Sequence, residues 1–406
     1  MRRLDAYKDM MARCSHCAFC QATCPVFSED LLETHMPRAR MDIIRGALLD
    51  RDIPVNNRVR EVLSRCLLCG ACTRTCPAGV AVDEITMAAR GELGTGGMSD
   101  KLKRRVMPSI LRSRGAGGFL GKLAPYAREK GWLSRSLPIL SPDSFQAQQP
   151  PVEGELRARV AYFVGCATNS VFQDTGADTL AVLAKNGIQA IVPEGIVCCG
   201  VPAAAAGDME LAAEMARENI KALSERKFDA IVTDCTTCGL AMRQWWEKVL
   251  PEDDPLRAAA AELGGKTFEV CDYLNQVGLS AKPGNLAGRH TYHEPCHRDW
   301  SPTLADAARK LLAEVPGAEL VEMEEPGSCC GAGGSFFLEH RDVSSALRKK
   351  KTARIEQTGV DTVVTPCPSC RGYIAAGVPG KRVCHPVSLL ARAYGIGGGT
   401  PSKTGE

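Results

Sequence analysis

Aromatic residues are scarce in this 406-residue chain, at 5% of positions, while glycine is abundant, with 39. That balance suits tightly packed α/β layers and leaves little material for an aromatic ligand cleft. No run of about 20 apolar residues occurs, so no transmembrane helix is expected. The opening residues, MRRLDAYKDMM, carry charge where a secretory leader needs an apolar stretch. No Gly-x-Gly-x-x-Gly follows a strand-like run, and no P-loop signature appears, so no flavin, nicotinamide or nucleotide site is expected in the chain itself. The formal net charge of +3 gives no reason to expect a nucleic-acid partner. Disorder is excluded by an apolar content of 45%. The length predicts two or three domains.

What the chain has in excess is cysteine, 20 residues in tight runs. A disulfide-stapled secreted protein would be short and loop-rich. Long chains with clustered cysteines instead read as metal binders in a reducing compartment, which predicts a cytoplasmic protein. Any membrane contact would then be peripheral, at the inner face, through a partner or a surface patch.

Two runs share one pattern. The first is Cys14-Ser-His-Cys17-Ala-Phe-Cys20-Gln-Ala-Thr-Cys24-Pro25, and the second is Cys66-Leu-Leu-Cys69-Gly-Ala-Cys72-Thr-Arg-Thr-Cys76-Pro77. A cubane cluster needs thiolates at tetrahedral corners. One short loop wraps three of them, and in this motif the fourth cysteine serves the other cluster. The expected sets are Cys14, Cys17, Cys20 and Cys76 for one [4Fe–4S] cluster, and Cys66, Cys69, Cys72 and Cys24 for the other. Structural zinc takes two separated pairs per ion, which this spacing does not offer. Two four-thiolate cores of about −2 each would bring the holoprotein to about −1. Adjacent clusters argue for electron conduction rather than a purely structural role.

The remainder divides by composition. Residues 1–95 hold both runs, separated by stretches of helical periodicity at 36–49 and 57–68, and predict an α-helical ferredoxin-like module. Residues 96–155 form a linker, with ten Lys/Arg and one acid, Glu129, between 101 and 135. This linker reads as a solvated helix pair or as a docking surface for an acidic partner or anionic lipid. Residues 397–406 read as a flexible tail.

Between these lies an internal repeat. Cys166, Cys198-Cys199-Gly200 and Cys235-x-x-Cys238 recur as Cys296, Cys329-Cys330-Gly331 and Cys367-x-x-Cys370, at offsets of 130, 131, 131, 132 and 132. Duplicated domains at 156–285 and 286–396 are the simplest account. Short β-rich runs at 160–164, 190–192, 230–233 and 362–365 alternate with helical stretches at 181–185 and 210–223. That is a βαβ pattern, so the fold class is α+β multidomain, a helical module followed by two duplicated α/β domains with parallel sheets. The cysteines follow the apolar runs, so a parallel sheet would gather them at its carboxyl edge. Adjacent cysteines point apart and suit different irons of one larger cluster, and Gly200 and Gly331 would let backbone approach it. Zinc or a redox disulfide are the competing readings for these repeats. Cys271 and Cys384 read as buried, inert thiols. His293, His297 and His385 read first as core histidines, with tuning of a cluster as the alternative.

Twin runs followed by two CCG repeats resemble the iron–sulfur subunits of glycolate oxidase and of D-lactate dehydrogenases. They are similar also to the corresponding cysteine-rich subunits of anaerobic glycerol-3-phosphate dehydrogenase and of heterodisulfide reductase. The stretches Tyr292-His-Glu-Pro-Cys296-His and Cys329-Cys-Gly-Ala-Gly-Gly334 carry the likeness most specifically. The resemblance implies an FAD-binding dehydrogenase subunit as partner, a 2-hydroxy acid as substrate, and a quinone, membrane redox partner or other carrier as acceptor. It also implies one or two further clusters in the repeats, of non-cubane type in the heterodisulfide reductases. Glycolate oxidase subunits often have an incomplete first repeat. Both are complete here, which turns the expectation toward lactate or toward disulfide reduction at the CCG clusters.

Overall fold

The computed structural model describes residues 4–93, 141 and 143–396. The basic stretch 101–135 and the tail 397–406 lie outside the described residues.

The first module is helical. Val59, Val62 and Leu63 fall on one face of the helix Asn57–Ser64, and that face is buried. The Asn56 side chain starts this helix by accepting from the Arg58 and Val59 amides at 3.0 and 3.1 Å. Helix Pro37–Ile44 runs into a wider turn, Arg45–Leu49, so the apolar periodicity at 36–49 spans two elements. With helix Val82–Leu93 they enclose a core of Leu4, Met41, Ile44, Leu63 and Ile85. The end of the helix before Cys66 would leave carbonyls bare. Half-buried Arg90 donates to the carbonyls of Leu63, Ser64 and Cys66, and to Ala205 O of the next domain.

Two parallel four-stranded sheets follow. The strands of the first are β1 (Ala158–Tyr162), β2 (Ile188–Ile191), β3 (Ala230–Thr233) and β4 (Thr267–Glu269). Those of the second are β5 (Gly288–Tyr292), β6 (Ala318–Leu320), β7 (Thr362–Val364) and β8 (Arg382–Cys384). The orders are β2-β1-β3-β4 and β6-β5-β7-β8, one topology used twice. In each the direction of winding reverses at the first strand, which opens a crevice beyond the carboxyl ends.

Alternation along β1 feeds both faces of the first sheet. Ala161 packs with helix Met209–Ser224 on one side. Val160 and Tyr162 pack with Leu180, Leu183 and Leu274 on the other. That second core continues into the other repeat through Trp300, Leu304, Leu311, Val387 and Leu390. The repeats are therefore joined by a shared hydrophobic layer. An ion pair between Arg371 and Asp174, at 2.6 Å and largely buried, adds to that junction.

Candidate metal centres

The two N-terminal runs have the same backbone shape. They are offset by 52 residues, and the left-handed positions of the first, His16 and Ala18, recur in the second as Leu68 and Gly70. Each run wraps around a small cavity. One cavity is lined by Cys14, Cys17, Cys20 and Cys76. The other is lined by Cys24, Cys66, Cys69 and Cys72. In both, the fourth cysteine comes from the opposite run. The backbone amides of Leu68 and Val80 donate to Cys66 Sγ and Cys76 Sγ, each at 3.4 Å. Such bonds stabilise a thiolate and tune an iron–sulfur potential. The first cavity is near the surface, with Cys17 exposed, whereas Cys24 and Cys72 of the second are buried. Four thiols around an otherwise mainly apolar hollow fit a thiolate-ligated cluster.

The repeat cysteines lie beyond the carboxyl ends of their strands, as the topology requires. In the first repeat they form a closed set inside the hydrophobic core. Cys198 Sγ lies 3.7 Å from Cys166 Sγ. Hydrogen bonds from Cys198 and Cys238 hold the Cys199 thiol down at about 6, against burial, which pushes it up. The loop around them is pinned by neutral groups. Trp246 Nε1 donates to Cys199 O at 3.0 Å, and Asn219 donates to Cys198 O at 3.0 Å.

The second repeat is open. Cys296, Cys329, Cys330, Cys367 and Cys370 all line a cavity of about 550 Å³, and so do Cys66 and Cys69 of the second run. None of the five first-repeat cysteines lines it, although Val201, Pro202 and Trp245 from that repeat do. Hydrogen bonds from Cys370 and His293 hold the Cys330 thiol well below its ordinary range, against burial. An ionised thiol is the form that binds iron. The N-terminal module is tied to this cavity directly. Arg74 Nη1 bridges Cys69 O at 3.1 Å and Cys296 O at 3.2 Å, and His297 Nε2 lies 3.2 Å from Leu68 O. Cys24, Cys69 and Cys329 pack around Phe336 and Leu67.

The two glycines after the double cysteines have φ of +90° at Gly200 and +89° at Gly331. A Cβ on Gly331 would come 2.5 Å from Ser344 O, and one on Gly200 would come 3.1 Å from Ala212 O. Helix packing against the cysteine loop therefore requires glycine at both.

Cys271 and Cys384 are buried away from the cavity. His385 Nδ1 accepts from the Val387 amide, which leaves its proton on Nε2, 3.2 Å from Glu269 Oε1. In that tautomer the Nε2–H faces the Glu269 carboxylate at ion-pair distance and no ring lone pair is left to bind a metal.

Sequence reasoning did not find Arg74, Arg90 or Lys351. Lys351 is fully buried, and its ammonium donates to the carbonyls of Glu325 and Pro326 at 2.8 and 3.2 Å. Burial pulls it down to about 8, while the thiolates of Cys330, Cys329 and Cys370 push it up. Nothing in its helix, RDVSSALRKKKTARIEQ, separates it from the solvated lysines beside it.

Comparison with known proteins agrees with this arrangement. Residues 10–80 match a 4Fe-4S dicluster domain, and residues 160–243 and 290–375 each match a cysteine-rich domain. The chain thus carries one 4Fe-4S dicluster domain followed by two cysteine-rich domains. It is 28% identical to the probable glycolate oxidase iron-sulfur subunit of Bacillus subtilis, over 95% of this chain and 94% of that one. It is equally identical to a fumarate reductase (CoM/CoB) subunit of Methanothermobacter marburgensis, over 94% of this chain and 72% of the relative. Lactate utilization protein A of Oceanobacillus iheyensis is 28% identical over 51% of this chain and 84% of its own length. A crystal structure of a hypothetical protein from Helicobacter pylori shares the fold, with a TM-score of 0.55 and 9% identity, covering 97% of this chain and 76% of that one. Among the described residues no helix is long and apolar enough to cross a membrane.

Proposed function

We propose that this chain is the iron–sulfur subunit that carries electrons out of a flavin-dependent 2-hydroxy-acid dehydrogenase. In this reading it takes them from an FAD-binding partner and delivers them to a quinone or another carrier. The observation that carries the reading is the succession of three cysteine groups, from the near-surface set with Cys17, through the buried set with Cys69, to the second-repeat cavity. The names of the Bacillus and Oceanobacillus relatives supply the substrate class, glycolate or lactate.

Cys14, Cys17, Cys20 and Cys76 hold one [4Fe–4S] cluster in this account, and Cys24, Cys66, Cys69 and Cys72 hold the second. Cys296, Cys329, Cys330, Cys367 and Cys370 hold a further cluster, and Cys166, Cys198, Cys199, Cys235 and Cys238 are the ligand set of the first repeat. Bound there, the clusters supply one-electron storage and relay. The chain's own part is to bind them, to fix their spacing through Arg74, Arg90 and His297, and to keep water from the buried sets.

Anaerobic affinity purification from the native host tests the reading. A co-purifying flavoprotein with bound FAD is expected. A b-type haem protein without flavin would contradict it. That outcome would favour a second reading, disulfide reduction at the second-repeat cysteines, which the open cavity beside them also supports.

A further inference from the structure

The two repeats share strand order and cysteine motifs, and aligning them on these features exposes a charge difference at their metal sites. Ser344 O lies against Gly331 where Ala212 O lies against Gly200, so helix Arg341–Gln357 aligns with helix Met209–Ser224 at an offset of 132. At that offset Lys351 corresponds to Asn219. Both side chains are fully buried, and both strap the loop that leads into the double cysteine. Asn219 does so with a neutral amide, accepting from Val197 N at 2.9 Å and donating to Cys198 O. Lys351 does so with an ammonium, through Glu325 O and Pro326 O.

An amide strap suffices for the loop, as the first repeat shows, so strapping does not explain a cation. Burying an ammonium without an anion costs several kcal/mol. No carboxylate pairs with Lys351 among the described residues, since Glu325, the nearest acid in its contacts, is paired with Arg354 at 2.6 Å. The ammonium lies 3.8 Å from Met323 Sδ, and Met323 packs in one cluster with Cys330, Cys367 and Cys370, so the nearby groups that become negative are the second-repeat cysteines. The same contrast holds three residues before the first cysteine of each repeat. His293 sits there in the second repeat, one ring nitrogen lying with Cys330 Sγ and Cys370 Sγ inside a 4.8 Å group. Phe163 takes that place in the first, its ring edge on Trp246.

We propose that Lys351 is the fixed counter-cation of the second-repeat cluster, and that it makes this cluster, rather than its first-repeat counterpart, the higher-potential electron sink of the chain. The proposal rests on the reading that the second-repeat cysteines bind an iron–sulfur cluster. Reduction adds one electron and one negative charge to the group. No bond or proton is exchanged, and the electron comes from the neighbouring set of Cys24, Cys66, Cys69 and Cys72, which is oxidised by one unit. A positive charge held in a low-dielectric interior stabilises the more negative state. The first repeat offers only neutral partners in the equivalent places.

The test is an EPR-monitored redox titration of the anaerobically prepared full chain, wild type against Lys351→Met, with iron and acid-labile sulfide counted in each. Cys367→Ser and Cys235→Ser identify which signal belongs to which repeat. Lys351→Met is expected to retain its iron and to lower the second-repeat midpoint by at least 59 mV, a tenfold shift in a one-electron equilibrium, with the N-terminal signals moving less. An unchanged midpoint would overturn the proposal. Should the variant lose the cluster, the wild type decides: a second-repeat signal that reduces above any first-repeat signal supports the proposal, and the reverse order refutes it. If Cys367→Ser loses no iron or sulfide, the underlying reading fails instead.

Discussion

The two cysteine-rich repeats share topology, cysteine spacing and glycine geometry, yet they present their thiols differently. In the first, the thiols are closed into the core with Phe163 and Trp246. In the second, they face a cavity shared with Cys66 and Cys69. Duplication gave both copies the same strand-end edge. The copies differ in whether the N-terminal module packs against their thiols, in what stands three residues before the first cysteine and in what stands in the middle of the long helix, and in the reading proposed above these differences set which copy joins the electron path. A ligand pattern therefore marks where metal can bind, while its neighbours set what the metal is used for.

The strongest way to break this comparison is to remove a ligand of the buried set that adjoins the open repeat. Cys24→Ser should eliminate the cluster of the second run and leave the Cys14-containing set intact. Electron transfer to the second repeat should then fall by more than the roughly 10–100-fold typical of disturbing a ligand's supporting hydrogen bonds. EPR spectra and iron counts check this, and loss of the first-run signal alone would contradict it.

The junction between the repeats gives the next largest effect. Arg371→Met leaves Asp174 without its partner in a largely buried site, at a cost of about 3 kcal/mol in denaturant unfolding. The glycine pair sharpens the comparison directly. Gly200→Ala should cost about 1–2 kcal/mol, the penalty of the left-handed backbone. Gly331→Ala should cost about 1 kcal/mol more, because its Cβ meets a backbone carbonyl at 2.5 Å rather than 3.1 Å. Equal costs would mean that the two loops are packed alike.

An effect of similar size is a pH dependence. Burial, with Asp174 adding to it, raises Asp178 to about 6 from its ordinary value of 3.8, against the pull of Arg371 and His385. A carboxyl raised in the folded state favours folding when protonated and opposes it once ionised. Its penalty therefore grows between about pH 4 and pH 6 and is complete above. Asp178→Asn should stabilise the protein by about 2 kcal/mol at pH 7–8 and by nothing below about pH 4. Unfolding curves at the two pH values check this.

Much of this architecture was legible in the residues. The apolar run AIVT coincides with β3, and the cysteine offsets located the duplication before any strand was placed. Three of the four outer strands were not legible. β4, β6 and β8 are three residues each, and β6 reads Ala-Glu-Leu, too short and too polar for a two-residue alternation to register. The glycines were expected to let backbone approach a cluster, and their contacts add a requirement the residues did not reveal, the close approach of a helix. The cavity was hidden for a different reason. It is assembled from residues more than 200 positions apart, Leu68 and His297 among them, and no local pattern records such a meeting. Lys351 was hidden because burial of one lysine in a lysine-rich helix depends on helix rotation, which composition does not give.

The most direct measurement is spectroscopic, on the complex purified intact from its host under anaerobic conditions. A 2-hydroxy acid such as lactate or glycolate is added, and the visible iron–sulfur absorption is followed alongside the flavin. Bleaching of the iron–sulfur bands by the hydroxy acid, to an extent approaching that given by dithionite, is the predicted result. A flavin that is reduced by the hydroxy acid while dithionite-reducible clusters stay oxidised would contradict the account.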